Sequence, residues 1–215
     1  MVRFDTSPNQ EQIEEPRLRP LYNDMVECER LLESEDSQFA RRTFCRAAFA
    51  FIEGQVHWLR GIAMHLVAGQ GIRAGTIELS LISALIDETP RVERNGKLKM
   101  EQSRTPFTNT VALVFRTLAE KLGLDAAEFF SDGYWGQLQS ALDVRHRITH
   151  PKTAEDMEIS DENMDHIRAG LAWFMNSTAK IANRQWEIQN GQQPQQPPGA
   201  YSSKAADGLT GNAQE

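Results

Sequence analysis

Apolar residues recur along most of this chain at three- and four-residue intervals, the spacing that gives a helix one greasy face. The first such stretch spans about 20–32, where Leu21, Met25, Cys28, Leu31 and Leu32 form a stripe. Ser34 to Ser37 break it, and Ser37 is placed to cap a long second helix over about 38–68. Phe39, Ala47, Phe51, Val56, Trp58, Leu59, Ile62 and Leu66 make this helix apolar around much of its circumference, the mark of a helix packed by several neighbours. Gly69 and Gly71 are expected to end it. A third helix is predicted over about 74–88, stopped by Pro90 because the residue before a proline disfavours helical geometry.

The pattern then changes. Weak alternation on both sides of Asn95-Gly96 predicts a small β-hairpin with a tight turn, within an exposed insertion near 91–104. Helical periodicity resumes after Thr105-Pro106 and predicts helices over about 106–122, stopped by Gly123, and about 132–149, preceded by a short turn over 125–130. A last helix is predicted over about 161–189, with Ser160 as N-cap and Asp161 and Glu162 in its first turn. The expected fold is all-α, an up-and-down bundle of five or six helices carrying one hairpin. Trp58, Trp135, Trp173 and Trp186 are expected to pack in its core.

The flanks differ from the body. Residues 1–17 are polar with Pro8 and Pro16 and are expected to be a flexible arm; 191–215 is rich in Gln, Pro, Gly and Ser and is expected to be disordered. This leaves a single helical domain over 18–190. A chain of 215 residues supports one sizeable core. No apolar run reaches the ~20 residues that span a bilayer, and the N-terminus lacks the apolar segment of a signal peptide. Cys28 and Cys45 do not form a disulfide framework by themselves. A cytoplasmic protein without membrane contact is expected. The net charge of −7 argues against a general nucleic-acid binder. Its distribution is uneven: 38–152 holds fifteen Lys/Arg against eleven Asp/Glu, whereas 1–37 holds four against ten and 153–215 four against nine. Solvated helix faces account for such a basic centre, and so does an anionic partner.

Candidate chemistry concentrates in Arg145-His146-Arg147-Ile148-Thr149-His150-Pro151. At about 100° per residue, His146 and His150 share a helix face one turn apart. Pro151 ends the helix there, leaving unpaired carbonyls and the negative end of the macrodipole, which favours cationic side chains. An arginine beside a titratable histidine suits phosphodiester chemistry, because one group holds phosphoryl charge while the other moves a proton. Two other readings stand beside this one. Basic residues at a helix C-terminus stabilise it without further function, and histidines at i and i+4 can share a zinc ion. Glu53, the only acid between 38 and 60, is placed to pair with Arg145 or Arg147, or with Arg46 or Arg60. His57, His65 and His166 give no comparable signal, and the basic hairpin suits either solvent or a partner.

The segment Arg145 to His150, with Pro151 after it and Ala141-Leu142-Asp143-Val144 before it, resembles the R-x4-6-H motif of the HEPN superfamily. The long helix around Arg41-Arg42-Thr43-Phe44-Cys45-Arg46-Ala47 resembles that family in layout, so the likeness covers roughly 38–185. The resemblance implies a helical bundle, commonly a homodimer, in which two motifs meet at one groove. The family's active members are metal-independent endoribonucleases of toxin–antitoxin, phage-defence and RNA-processing systems, so RNA is the implied substrate, an antitoxin a possible partner and no cofactor is needed. By the same resemblance Arg145 binds the scissile phosphate and His150 acts as general base or acid. His146 fills the polar position, most often Asn in the family, and supports the site with Glu53. Arg147 and Lys152 are candidate substrate contacts. Pro151 and Lys152 stand where one toxin subfamily has a tyrosine. Other members have lost catalysis and serve as dimeric binding modules, which is the alternative reading for this chain.

Overall fold

A computed structural model of the chain describes residue 16 and residues 18–76, 78–103, 105–131 and 133–191. Nearly all of the expected N-terminal arm and C-terminal tail lie outside the described residues. Within them, six α-helices and one two-stranded sheet follow in order: α1 (Arg19–Ser34), α2 (Gln38–Ala74), α3 (Leu79–Ile86), β1 (Glu88–Val92), β2 (Leu98–Gln102), α4 (Phe107–Leu122), α5 (Tyr134–Thr149) and α6 (Asp161–Gln189). None of the helices is long and apolar enough to cross a membrane.

The caps read from sequence form. Ser37 accepts from the Ala40 amide and Ser160 from the Asn163 amide, each supplying one of the acceptors that a helix start lacks. The glycine stop of α2 is corrected. Gly69 and Gly71 lie inside the helix, which continues to Ala74. A helical glycine costs about 1 kcal/mol relative to alanine. Tertiary anchoring offsets it here, because Val67 is buried and Gln70 donates to the Lys121 carbonyl at 3.2 Å. Gly75 is the true stop: it sits at φ 71°, and Thr76 donates back to the Gly71 carbonyl. The third helix therefore begins later than predicted and ends at Ile86, where Asp87 turns the chain at φ 56°.

Antiparallel β1 and β2 pair Pro90 with Met100 and Val92 with Leu98. The ladder is bonded at Asp87–Ser103 and Glu93–Lys97. Bonded pairs alternate along an antiparallel ladder, so Pro90 falls at a non-bonded position and its missing N–H costs nothing. Gly96 at φ 79° donates to the Glu93 carbonyl, which makes a three-residue loop with glycine in the left-handed position.

The helix α2 is the axis of the bundle and packs against α1, α3, α4, α5 and α6. It contributes Phe44, Phe49, Ile52 and Leu59 to the fully buried core, beside Phe115 and Leu118 of α4, Ile148 of α5 and Phe174 of α6. Burying one such side chain contributes roughly 1.5–3 kcal/mol, so α2 is the helix on which the bundle depends most. The ring of Phe115 meets Trp173 and Phe174 at centroid distances of 5.4 and 5.9 Å. Trp173 is buried and donates to the Phe129 carbonyl, Trp58 and Trp135 are half-buried, and Trp186 is exposed, against the expectation that all four are core. Between α5 and α6 the backbones touch: a Cβ on Gly170 would lie 2.8 Å from the Leu138 Cα. That contact, with Arg147 bonded to Asn163 further along, runs α6 antiparallel to α5.

Candidate functional site

The end of α5 is held by its apolar face. Val144 and Ile148 are buried, which turns His146, Thr149 and His150 outward and leaves Arg145 half-buried at the edge of that face. His150 closes the last turn through its amide, bonded to the His146 carbonyl at 3.0 Å. It then leaves helical geometry at φ −127° and ψ 57°, as a residue before proline must. Both imidazoles are exposed, one turn apart. The Thr149 hydroxyl donates to the Arg145 carbonyl at 2.6 Å. The Ile148 carbonyl, left open by the helix end, accepts from Arg46 of α2 at 3.3 Å.

Arg145 forms an ion pair with Glu53 across the α2–α5 contact, Nη2 to Oε1 at 2.7 Å. Its side chain is 26% exposed and that of Glu53 39%. The carboxylate therefore holds one nitrogen of a guanidinium that is itself only partly exposed.

Arg147, two residues on, has a different occupation. Its Nη1 donates to the carbonyls of Glu155, Asp156 and Glu158 at 2.8–3.1 Å, and its Nη2 to Asn163 Oδ1 at 2.9 Å. It thus gathers the segment between α5 and α6 against the end of α5. The same segment is held from the α2 side. Gln38 exchanges two bonds with the Ile159 backbone, Arg41 donates to the Ile159 carbonyl and Arg42 to that of Met157. Ile159 is fully buried as the plug of this loop. Within the loop, Asp156 accepts from the amides of Lys152 and Thr153 at 2.7 and 3.0 Å. Those two bonds, helped by the charge of Arg147, hold its carboxyl below the usual carboxylate range. The Lys152 side chain is exposed and makes no ion pair among the described residues.

Cys45 lies buried beneath this end of the bundle, and burial pushes its thiol up to about 12 although Arg46, Arg145 and Arg147 pull the other way. A thiol in that state is no nucleophile at neutral pH. His57 and His65 are exposed on α2, and His166 is hydrogen-bonded to Gln137 on the opposite stretch of α5. Among the described residues no three His, Cys, Asp or Glu side chains are grouped closely enough to hold a metal ion, so the histidine pair lacks the remaining ligands of a zinc site.

The structure therefore brings Glu53 to Arg145, keeps His146 and His150 exposed on the same helix end, and commits Arg147 to the following loop. Sequence reasoning missed Gln38, Arg42, Arg46 and Asp156 as the parts that hold this end in place. The available signal was the cluster of Arg41, Arg42 and Arg46 in the first turns of α2. Chemically, the arrangement offers a restrained guanidinium and two solvent-facing imidazoles on a rigid helix terminus. No family model, curated protein or solved structure matches this chain.

Proposed function

We propose that the end of α5 is the cleavage site of a HEPN-like, metal-independent endoribonuclease that works as a homodimer. The observation that supports it most is the Arg145–Glu53 pair: one guanidinium is ion-paired through a single nitrogen and partly exposed, whereas its neighbour Arg147 is committed to carbonyls. In this reading the free N–H groups of Arg145 bind the non-bridging oxygens of the scissile phosphate. His150 takes the proton of the ribose 2′-OH, and the 2′-oxygen attacks phosphorus. The P–O5′ bond breaks and the leaving oxygen receives a proton from the second imidazole of the dimer groove. The products are a 2′,3′-cyclic phosphate and a 5′-hydroxyl. His146 supports His150 or the RNA from the same face, Lys152 contacts the flanking phosphate, and Arg147 acts on substrate only through the loop it holds. A toxin or phage-defence role, with an antitoxin as protein partner, follows from the family resemblance.

The same ion pair also favours a second reading. Glu53 cancels much of the charge that attracts RNA, in a protein of net charge −7, and this suits a non-catalytic dimeric interaction module. Purified protein incubated with total RNA in EDTA separates the two. Cleavage that survives the chelator and disappears in His150→Ala supports the nuclease; RNA left intact by a folded dimer supports the module.

A further inference from the structure

The hairpin carries an apolar face with nothing on it. Pro90, Val92, Leu98 and Met100 share one side of the ribbon by register, and Val92 and Leu98 are 67% and 72% exposed. An isolated two-stranded ribbon is marginally stable in water, so this face calls for cover. Its tip is basic: Arg94 and Lys97 make no ion pair among the described residues, whereas Arg91 is paired with Glu101.

On another part of the molecule, α1 and α6 border a groove of about 910 Å³ with a partly apolar floor, beneath which Phe129 and Trp173 are buried. Its rim is acidic. Glu29, Glu33 and Asp165 line it and make no ion pair among the described residues; Lys180 is already taken by Glu128, and Arg168 is the remaining cation. Burial, then the charge of Glu33, push the Glu29 carboxyl above its ordinary value, with Arg168 pulling the other way. A basic, apolar projection and an acidic, apolar recess are thus both unpartnered in one chain. We infer that the α1–α6 groove receives the hairpin of a second copy of this chain, with Val92 and Leu98 on its floor and Arg94 and Lys97 against Glu29, Glu33 and Asp165. Hairpin faces packed on each other are a poorer solution, because they leave the acidic rim of the groove without a counter-charge. Exchange engages an arm and a groove on each copy. Neither surface includes Arg145 or His150, so the charge swaps leave a dimer through the end of α5 untouched and their effect reads the hairpin contact alone.

Charge swaps test it. The full chain is followed by sedimentation over a range of concentrations, with circular dichroism to confirm folding. Native protein is expected to self-associate, more weakly at high salt. Arg94→Glu with Lys97→Glu, and separately Glu33→Lys with Asp165→Lys, are expected to raise the dissociation constant at least roughly tenfold each. All four positions are exposed, so the helices need not rearrange. Mixing the two variants restores association, because each arm then faces a groove of opposite charge. A native chain that stays monomeric, association that neither double variant weakens, or a mixture that fails to recover overturns the inference.

Discussion

Glu53 of α2 and Arg145 of α5 meet at 2.7 Å and join the longest helix of the bundle to the helix end that carries both exposed imidazoles. A partly exposed pair of this kind contributes little to stability, about 0.2–1 kcal/mol. Its consequence is positional. A guanidinium paired through one nitrogen is restrained in position and keeps other N–H groups to offer an anion.

Glu53→Gln is therefore expected to leave Tm nearly unchanged and to lower RNA cleavage roughly tenfold, the scale of a loosened catalytic contact. Steady-state kinetics beside a thermal melt check this. Arg145→Lys is expected not to rescue, since an ammonium lacks the planar fork. A cleavage rate that Glu53→Gln leaves unaltered would show that the pair serves packing alone.

Arg147→Ala removes the donor shared by three loop carbonyls and Asn163. Losing the hydrogen bonds of a charged donor costs about 1.5–3 kcal/mol, even where the freed carbonyls can turn to water. Chemical denaturation is expected to show that loss, and amide exchange is expected to accelerate over 150–159 before it does elsewhere. Protection in that segment equal to the native level contradicts the role given to Arg147.

Gly170→Ala probes the contact that orients α5. The added methyl would lie 2.8 Å from the Leu138 Cα and 3.1 Å from its nitrogen, both backbone atoms that cannot rotate away. Overpacking of this sort costs about 1–3 kcal/mol. The expected result is a lower denaturation midpoint with an unchanged slope, whereas Gly136→Ala, which lies in the first turn of α5 and meets open space, is expected to be neutral to stabilising, by up to about 1 kcal/mol.

Acid acts on the loop through Asp156. Its folded carboxyl lies below the ordinary carboxylate value because it accepts two amides. The stabilisation is thus fully present above the unfolded value, near 3.9, and is lost as pH falls through the lower folded value. Amide exchange at Lys152 and Thr153 is expected to rise in that acid window, and Asp156→Ala is expected to give the same exposure at neutral pH. Exchange at those two amides that is insensitive to Asp156→Ala would remove the loop's proposed anchor.

Local signals and long-range contacts divide what was legible in the sequence. Ser37, Ser160 and Gly123 mark helix boundaries through bonds made within a few residues, and the structure has those caps. Arg145, His146 and His150 were readable as one helix end because periodicity and Pro151 act locally. The partners of that end were much less so. Arg46 and Ile148 lie 102 residues apart and Gln38 and Ile159 lie 121 apart, and helical periodicity does not encode which carbonyl a distant arginine reaches. Gly69 and Gly71 misled because their intrinsic cost of about 1 kcal/mol each is smaller than the packing that carries α2 past them. In sequence only the family motif sets Arg145 apart from Arg147; which carbonyls Arg147 reaches depends on the fold of 150–160.

The most direct measurement is the end chemistry of RNA after incubation in EDTA with native protein and with His150→Ala. The account predicts fragments ending in 2′,3′-cyclic phosphate from native protein and a rate about 10²–10⁴-fold lower from the variant, the contribution expected of a general acid–base group. RNA left intact by folded native protein, or cleavage by His150→Ala at the native rate, would contradict it.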